Sequence, residues 1–461
     1  MLIRFSVENH RSFRDRVTLS MIAGDHNLHT DHLIKGAGPG GVDLLRLAVV
    51  FGANASGKSN LVHALRTATE MIRRSPRIDE PLVYTPFKLD AESRTKPTRF
   101  EFELKVQDKF YSYGFAFHAT AIVEEWLFEI GTDPELPLFE RDEQGIRLGD
   151  FGEVGEAKQF LDFTAKGTPK NRLFSTEYSE RGVHKVAMKT TLLNLIFKMT
   201  TICLMSYPSN FKLLKVINTK SLEDINRIIV GFDAGIEEVT FGIIAPAKQK
   251  SASNQTLSAT SIVGEGNDSY IDNGWFFEEK EIEPPMLVSH LTAEKPELLE
   301  FHFRHSGHSE PLGYTDESDG TKRLIDIGHI IIDAAQVSAR AVLGSTFTAI
   351  DEFDRSLHPD LSHALLRMFL EESVGNQNQL LVTTHDATLL GRMMLRPDEV
   401  LFVEKQRDQS SRLLSLDEYK GAAEATQSPD LLRDYLNGRF GGVPVLTGVL
   451  SEGRGHAQKA L

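Results

Sequence analysis

Hydrophobic and polar residues alternate at the start of the chain, with Ile3, Phe5 and Val7 set against Arg4, Ser6 and Glu8, which is the period of a half-buried strand. The chain turns at Glu8-Asn9-His10-Arg11 and resumes with Val17 and Leu19, so residues 2–19 predict a hairpin. After a glycine-rich stretch at 36–41, Leu44 to Phe51 is apolar almost throughout, as a strand covered on both faces of a parallel sheet would be. Leu61, Val62, Leu65 and Ala68 then recur at helical spacing between Ser59 and Arg73. Period two returns from Pro97 to Glu140, in Phe100-Glu101-Phe102-Glu103-Leu104 and again from Tyr111 to Phe117, and predicts an antiparallel lobe. Helical spacing follows from Val183 to Val230, with Leu192, Leu193, Leu195, Ile196 and Met199 on one face, and gives way to a polar stretch from Lys248 to Asn273. Beyond Pro285 strands and helices alternate again as far as Glu404. The pattern predicts an α/β core split by an insertion: residues 1–180 and 285–461 form the core and its β lobe, and residues 181–284 an inserted helical arm with a polar loop.

Composition narrows this little. With 41% hydrophobic and 25% charged residues the chain is an ordinary globular one. A single cysteine, Cys203, excludes an intramolecular disulfide and any cysteine-rich zinc site, which fits a reducing cytoplasm. No apolar run is long enough to span a membrane, and Met1 to Ser6 lacks the basic and apolar segments of a signal peptide. A net charge of −14 repels nucleic acid at long range, so any DNA contact would need a local basic patch.

The chemistry lies in short motifs. Gly52-Ala53-Asn54-Ala55-Ser56-Gly57-Lys58-Ser59 satisfies GxxxxGK[ST] and sits between the predicted buried strand and the helix. Such a loop curls its backbone N–H groups, at Gly52, Asn54, Ser56 and Gly57, around phosphate. Lys58 reaches the β and γ oxygens, and the Ser59 hydroxyl takes a place on Mg2+. A short β-prone run ends in Asp351-Glu352. Asp351, at the tip of the strand beside the phosphate loop, is assigned to the metal, and Glu352 to the attacking water.

The long separation between Lys58 and Asp351 resembles that of the ABC-class ATPases, a group that includes transporters and the SMC-like DNA-repair enzymes. Their signature sequence precedes a helix upstream of the acidic motif, where this chain has Glu317-Ser318-Asp319-Gly320-Thr321-Lys322-Arg323. Asp319 stands where that signature has its first glycine. Ser318, Gly320 and Thr321 would offer N–H donors and a helix N-terminus to a γ-phosphate, or, with no ligand, simply cap a helix. Asp354-Arg355-Ser356-Leu357-His358-Pro359 resembles the segment that crosses the dimer interface in this class. His385, at the end of the run from Gln379, resembles its switch histidine; a lone histidine after a strand is otherwise structural.

With its flanks the resemblance becomes narrower. Glu8-Asn9-His10-Arg11-Ser12-Phe13, the phosphate loop extended by Asn60, the acidic motif continued to His358-Pro359, Thr383-Thr384-His385-Asp386, Phe402-Val403-Glu404-Lys405 and Tyr435 to Gly441 together resemble the OLD-like AAA-type ATPases of bacterial anti-phage defence, among them the RloA/AbiL-type ATPases and the ATPase subunit of PARIS. His10 replaces a usual phenylalanine, and Arg396-Pro397-Asp398 lacks a second basic residue. The resemblance implies an ABC/SMC-like P-loop NTPase that binds ATP and Mg2+ in a head-to-tail homodimer or a higher homo-oligomer. Glu352, His385 and Lys58 would be catalytic. Single-chain OLD nucleases carry a Toprim domain after the ATPase, and the stretch after Glu404 is too short for one, so the expected effector is a separate chain, with a Toprim-type nuclease as one candidate.

Three constellations are weaker. His302, His305 and His308 are spaced like solvated hairpin residues rather than a zinc site. Lys212, Lys215, Lys220, Arg227, Lys248 and Lys250 could meet nucleic acid but suit a solvated helix face. Cys203, Trp126 and Phe128 read as packing residues. The leading function is an ATP-hydrolysing sensor subunit that controls an effector. The alternatives are an SMC-like or RecF-like ATPase clamping DNA directly, and a scaffold locked by nucleotide.

Overall fold

A computed structural model describes residues 1–182 apart from 74–75, 79, 132–133 and 151–154. It also describes 216–249 apart from 218, 233–234 and 247, the strands at 275–276 and 287–289, and 297–440 apart from 337–344, 393–394 and 420–430. Cys203, most of the helical face predicted between Val183 and Val230, and most of the polar loop lie outside these residues.

The chain opens with β1 (Leu2–Glu8) and β2 (Val17–Ser20), which pair antiparallel with Phe5 opposite Leu19, as the alternation predicts. Next come β3 (Leu47–Phe51), buried at every position, and α1 (Lys58–Arg73). A run of antiparallel strands follows: β4 (Thr98–Val106), β5 (Lys109–Phe117), β6 (Ile122–Ile130), β7 (Leu136–Asp142) and β8 (Gly145–Leu148). They join the opening hairpin in one seven-stranded sheet of order β8-β7-β6-β5-β4-β1-β2. Alternate residues of β4 are buried, and its inward Phe100 and Phe102 meet Phe5, Phe115 and Phe117 in an aromatic core. Truncating one of these rings to alanine costs about 3–5 kcal/mol.

Trp126 packs on the sheet lobe as expected, on the face opposite its buried core. The inward positions of β6 are Glu125 and Leu127, both fully buried. Trp126 lies partly exposed over Gly114, where any Cβ would meet its ring at 2.1 Å, and under the Arg99 guanidinium at 4.2 Å. Buried Glu125 accepts the N–H groups of Phe174 and Ser175 at 2.7 and 3.1 Å and the Tyr113 hydroxyl at 3.0 Å. It thereby caps α3 (Phe174–Gly182), which follows α2 (Glu156–Gly167).

Later segments are α4 (Thr219–Phe232), β9 (Ile236–Pro246), β10 (Glu297–His305) and α5 (Asp319–Gln336). Next are β11 (Phe347–Ile350), α6 (Pro359–Glu372), β12 (Gln379–Thr383), β13 (Val400–Lys405) and β14 (Ser411–Ser415). The core sheet has the order β11-β12-β3-β13-β14, with the first four strands parallel and β14 antiparallel. Hence β12 lies between the acidic strand and β3, and Asp351 sits one strand further from the phosphate loop than the sequence suggests. Chain order does not determine spatial order when crossovers intervene.

The chain divides into two compact units: residues 1–205, 334–354 and 367–461 in one, and residues 206–333 with 355–366 in the other. The second unit has its own core, in which Ile225 and Ile229 of α4 pack with Ile236, Val239, Phe301, Phe303 and Ile325. β9 and β10 pair antiparallel there, with Phe241 opposite Phe301. Among the described residues no helix is long and apolar enough to cross a membrane.

Candidate nucleotide site

Parallel strands end on the same side of a sheet, so their C-terminal residues gather along one edge, the usual ligand edge of an open α/β sheet. Here the ends of β3, β12 and β11 bring the phosphate loop, Thr383-Thr384-His385 and Asp351-Glu352 together. The loop joins the end of β3 to α1, the context its motif requires. Gly57 has φ +116°, and a Cβ there would meet Ser411 Oγ at 2.3 Å and Ser12 Oγ at 2.8 Å, so glycine is required twice over.

Lys58 is buried, and its ammonium donates to the carbonyls of Gly52 at 2.6 Å and Ala53 at 3.0 Å. It also stands 3.2 Å from His385 Nδ1. Burial pulls Lys58 down to about 8, against the opposing pull of Asp351, Asp354 and Glu352. Burial, and then the Lys58 charge, lower His385 as well. With Nδ1 accepting from Lys58, the neutral ring carries its proton on Nε2 as a donor. The His385 backbone N–H donates to both oxygens of Asp354 at 3.2 Å.

Thr383 ties the acidic pair to the next strand. Its hydroxyl donates to Asp351 Oδ1 at 2.5 Å and accepts the Glu352 N–H at 2.9 Å. Glu352 has φ +48°, an uncommon conformation for a residue with a side chain, and such outliers cluster at functional sites. Sequence reasoning quoted Thr383 within a motif but gave it no role; its signal is a hydroxyl directly after the apolar Leu380-Leu381-Val382 of the strand. Ser12 and Ser411 were missed as loop supports. Ser411 Oγ donates to the Ser56 carbonyl at 2.5 Å and lies 2.8 Å from Ser12 Oγ, which accepts from Asn60 Nδ2 at 2.7 Å. Asn60 therefore braces the loop through Ser12, and Ser56 is buried while Asn54 and Ala55 are exposed.

The signature belongs to the second unit. There Ser318 caps α5: its Oγ accepts the Thr321 N–H at 3.1 Å and lies 2.9 Å from the Thr321 hydroxyl. A Cβ on Gly320 would stand 3.2 Å from the Ser356 carbonyl. Buried Glu317 accepts His305 Nε2 at 2.7 Å, so His305 is occupied by that carboxylate.

Both departures from the defence-ATPase pattern have local reasons. His10 is fully buried with its ring edge toward Phe100, 5.2 Å between centroids, and burial lowers it to about 3, so it packs as a neutral aromatic. Asp398 pairs with fully buried Arg396 at 2.7 Å, a place where a second cation would be repelled.

The phosphate loop after β3 and the strand intervening between β3 and the acidic strand define a P-loop nucleotide-binding α/β fold, here with an antiparallel lobe. A family model described as "AAA domain, putative AbiEii toxin, Type IV TA system" matches residues 47–166 and 241–391, more than half of the chain. The chain belongs to this family. Among solved structures it is similar to the SMC head domain from Thermotoga maritima, at 12% identity and a TM-score of 0.37 over 90% of this chain and 98% of that one. No curated protein matches.

Proposed function

We propose that the protein hydrolyses ATP with Mg2+ and uses ATP-driven head-to-tail pairing of two copies to control a separately encoded effector in anti-phage defence. The observation that carries the hydrolytic part is the convergence of Lys58, Asp351, Glu352 and His385 at one edge of the core sheet. In this reading Lys58 leaves its loop carbonyls for the β and γ oxygens. The Ser59 hydroxyl and the Asp351 carboxylate are hard oxygen donors that suit Mg2+, which when bound neutralises phosphate charge. Glu352 orients the attacking water, and the His385 Nε2–H donates to the γ-phosphate. Ser318, Gly320 and Thr321 of one copy cover the nucleotide held by the other. The defence role rests on the motif resemblance, from Glu8 to Phe13 through Tyr435 to Gly441, and on the family the chain belongs to.

The test is ATP turnover by wild type and Glu352→Gln, with the assembly mass recorded with and without ATP. Turnover lost in the variant together with an ATP-stabilised assembly is expected; no turnover and a mass indifferent to ATP would favour a scaffold. A mixture of Ser318→Arg and Lys58→Ala proteins should recover part of the activity if sites are completed between copies, and a mixture as inactive as its components overturns that arrangement. For the defence role, cells carrying the gene and its neighbours should resist phage and lose resistance with Lys58→Ala.

A further inference from the structure

Upstream of the phosphate loop, the segment between β2 and β3 carries His29, Asp31 and His32, which offer two imidazole nitrogens and one carboxylate oxygen all within 4.8 Å of one another. Among the described residues this is the one such triad of histidine, cysteine or carboxylate side chains. We propose that it is a site for a zinc-type divalent transition ion, with His29, Asp31 and His32 as the protein ligands and water in the fourth position.

Three observations support the assignment. First, His32 is prepared as a ligand. Its Nδ1 lies 3.0 and 3.1 Å from the two oxygens of Glu399, a fully buried carboxylate. With Nδ1 donating to Glu399, loss of the other ring proton to a metal would leave the Nε2 lone pair on the side of the Asp31 carboxylate, 4.0 Å away. A histidine oriented by a carboxylate on its far nitrogen is the recurrent outer shell of zinc sites, where it fixes the tautomer and raises ligand basicity.

Second, the backbone is bent to bring the donors together. His29 adopts φ +42° and ψ +57° at the start of the short turn Thr30–His32, a conformation rarely held by a residue with a side chain. The result is a His29 ring 5.1 Å from that of His32. Donors in a tetrahedral zinc shell are about 3.3 Å apart, given Zn–N distances of about 2.0–2.1 Å. Closing that gap requires the His29 ring to turn out of its stack on His32 and Asp31 to rotate inward, movements open to an exposed Asp31 and a half-buried His29.

Third, the charge balance suits a cation and the loop is held in place. Glu399 and Asp31 contribute two negative charges, while the guanidinium of Arg396 is committed to Asp398 and that of Arg46 to the Asn376 carbonyl. Arg396 also donates to the carbonyls of His26 at 3.0 Å, Gly24 at 3.2 Å and Leu28. Two nitrogens, one carboxylate oxygen and an open position are a zinc donor set rather than the all-oxygen shell of Mg2+.

The experiment is Zn2+ titration of the full chain by calorimetry, without nucleotide and in excess Mg2+ so that the phosphate-loop residues do not compete, repeated with Co2+ to read its visible absorption. One equivalent per chain with tetrahedral Co2+ bands is expected for wild type and for His308→Ala. His29→Ala and Asp31→Asn, both changes near the surface, should weaken binding at least tenfold, and Glu399→Gln by about 10–100-fold. ATP turnover by His29→Ala should equal that of wild type. Binding by His29→Ala and Asp31→Asn as tight as wild type, loss of the site in His308→Ala, or no saturable binding at all would overturn the proposal.

Discussion

Around Lys58, side chains from three parallel strands turn their polar atoms toward one another, whereas around Ser318 the polar atoms serve the helix they sit on. In the first region a buried ammonium, a histidine and an acidic pair are coupled through Thr383 and Asp354. In the second, the Ser318 hydroxyl is engaged by Thr321 and Glu317 by His305. The first arrangement holds groups in costly states, since desolvating an ammonium opposes folding, and such costs are retained where a ligand repays them. The second is locally self-sufficient: an N-cap contributes about 1 kcal/mol to its own helix whether or not phosphate is present. Under the proposed function, the nucleotide site would join a half shaped for its ligand to a half merely compatible with it.

That contrast can be broken experimentally, beginning with the largest effect. Lys58→Ala should lower ATP affinity by roughly a hundredfold or more, as loss of charge-assisted bonds to phosphate implies; equilibrium binding with a labelled nucleotide reads this, and unchanged affinity removes the phosphate-loop assignment. Glu352→Gln should keep ATP affinity while turnover falls by about 10²–10⁴, and normal turnover would pass the water-orienting role to another group. Thr383→Val, nearly isosteric, removes the bonds to Asp351 and to the Glu352 N–H and should reduce turnover about tenfold or more with the fold intact by circular dichroism.

Smaller still is the effect of pH. Because Lys58 is lowered to about 8 by burial, the free protein loses that proton above about pH 8, and ATP binding must restore it. Affinity should therefore be flat below that pH and weaken by up to about tenfold per unit above it. A Kd that stays constant to pH 9.5 contradicts this. Ser318→Ala should have the least effect: about 1 kcal/mol lost in denaturant unfolding, with ATP affinity at the phosphate loop unchanged. If instead it lowered that affinity as much as Lys58→Ala does, the signature would be a shaped half after all.

Much of the first region was legible in the sequence because its motif imposes backbone geometry locally. Gly57, Lys58 and Ser59 are consecutive, and the apolar run through Phe51 announces the strand they leave. The antiparallel lobe was legible for a similar reason, since period-two alternation in Phe100, Phe102 and Leu104 is a property of adjacent residues. Spatial order was not. Nothing between Lys58 and Asp351 says that β12 will insert between their strands, and Thr383 gains its role only from that insertion. Glu125 was illegible for another reason: a carboxylate inside a strand reads as solvent-facing until the N–H groups of Phe174 and Ser175 arrive from distant sequence.

Ser12 and Ser411, which meet against the phosphate loop, are 399 positions apart. The loop's final shape therefore depends on a contact that closes nearly the whole length of the chain, and contacts of such separation form late. As the protein is synthesised, the phosphate-loop motif emerges early yet lacks its brace until the β13–β14 hairpin has been made and docked. Under the proposed function, nucleotide binding would therefore wait on the docking of the β13–β14 hairpin, and bound ATP would report that this docking had occurred.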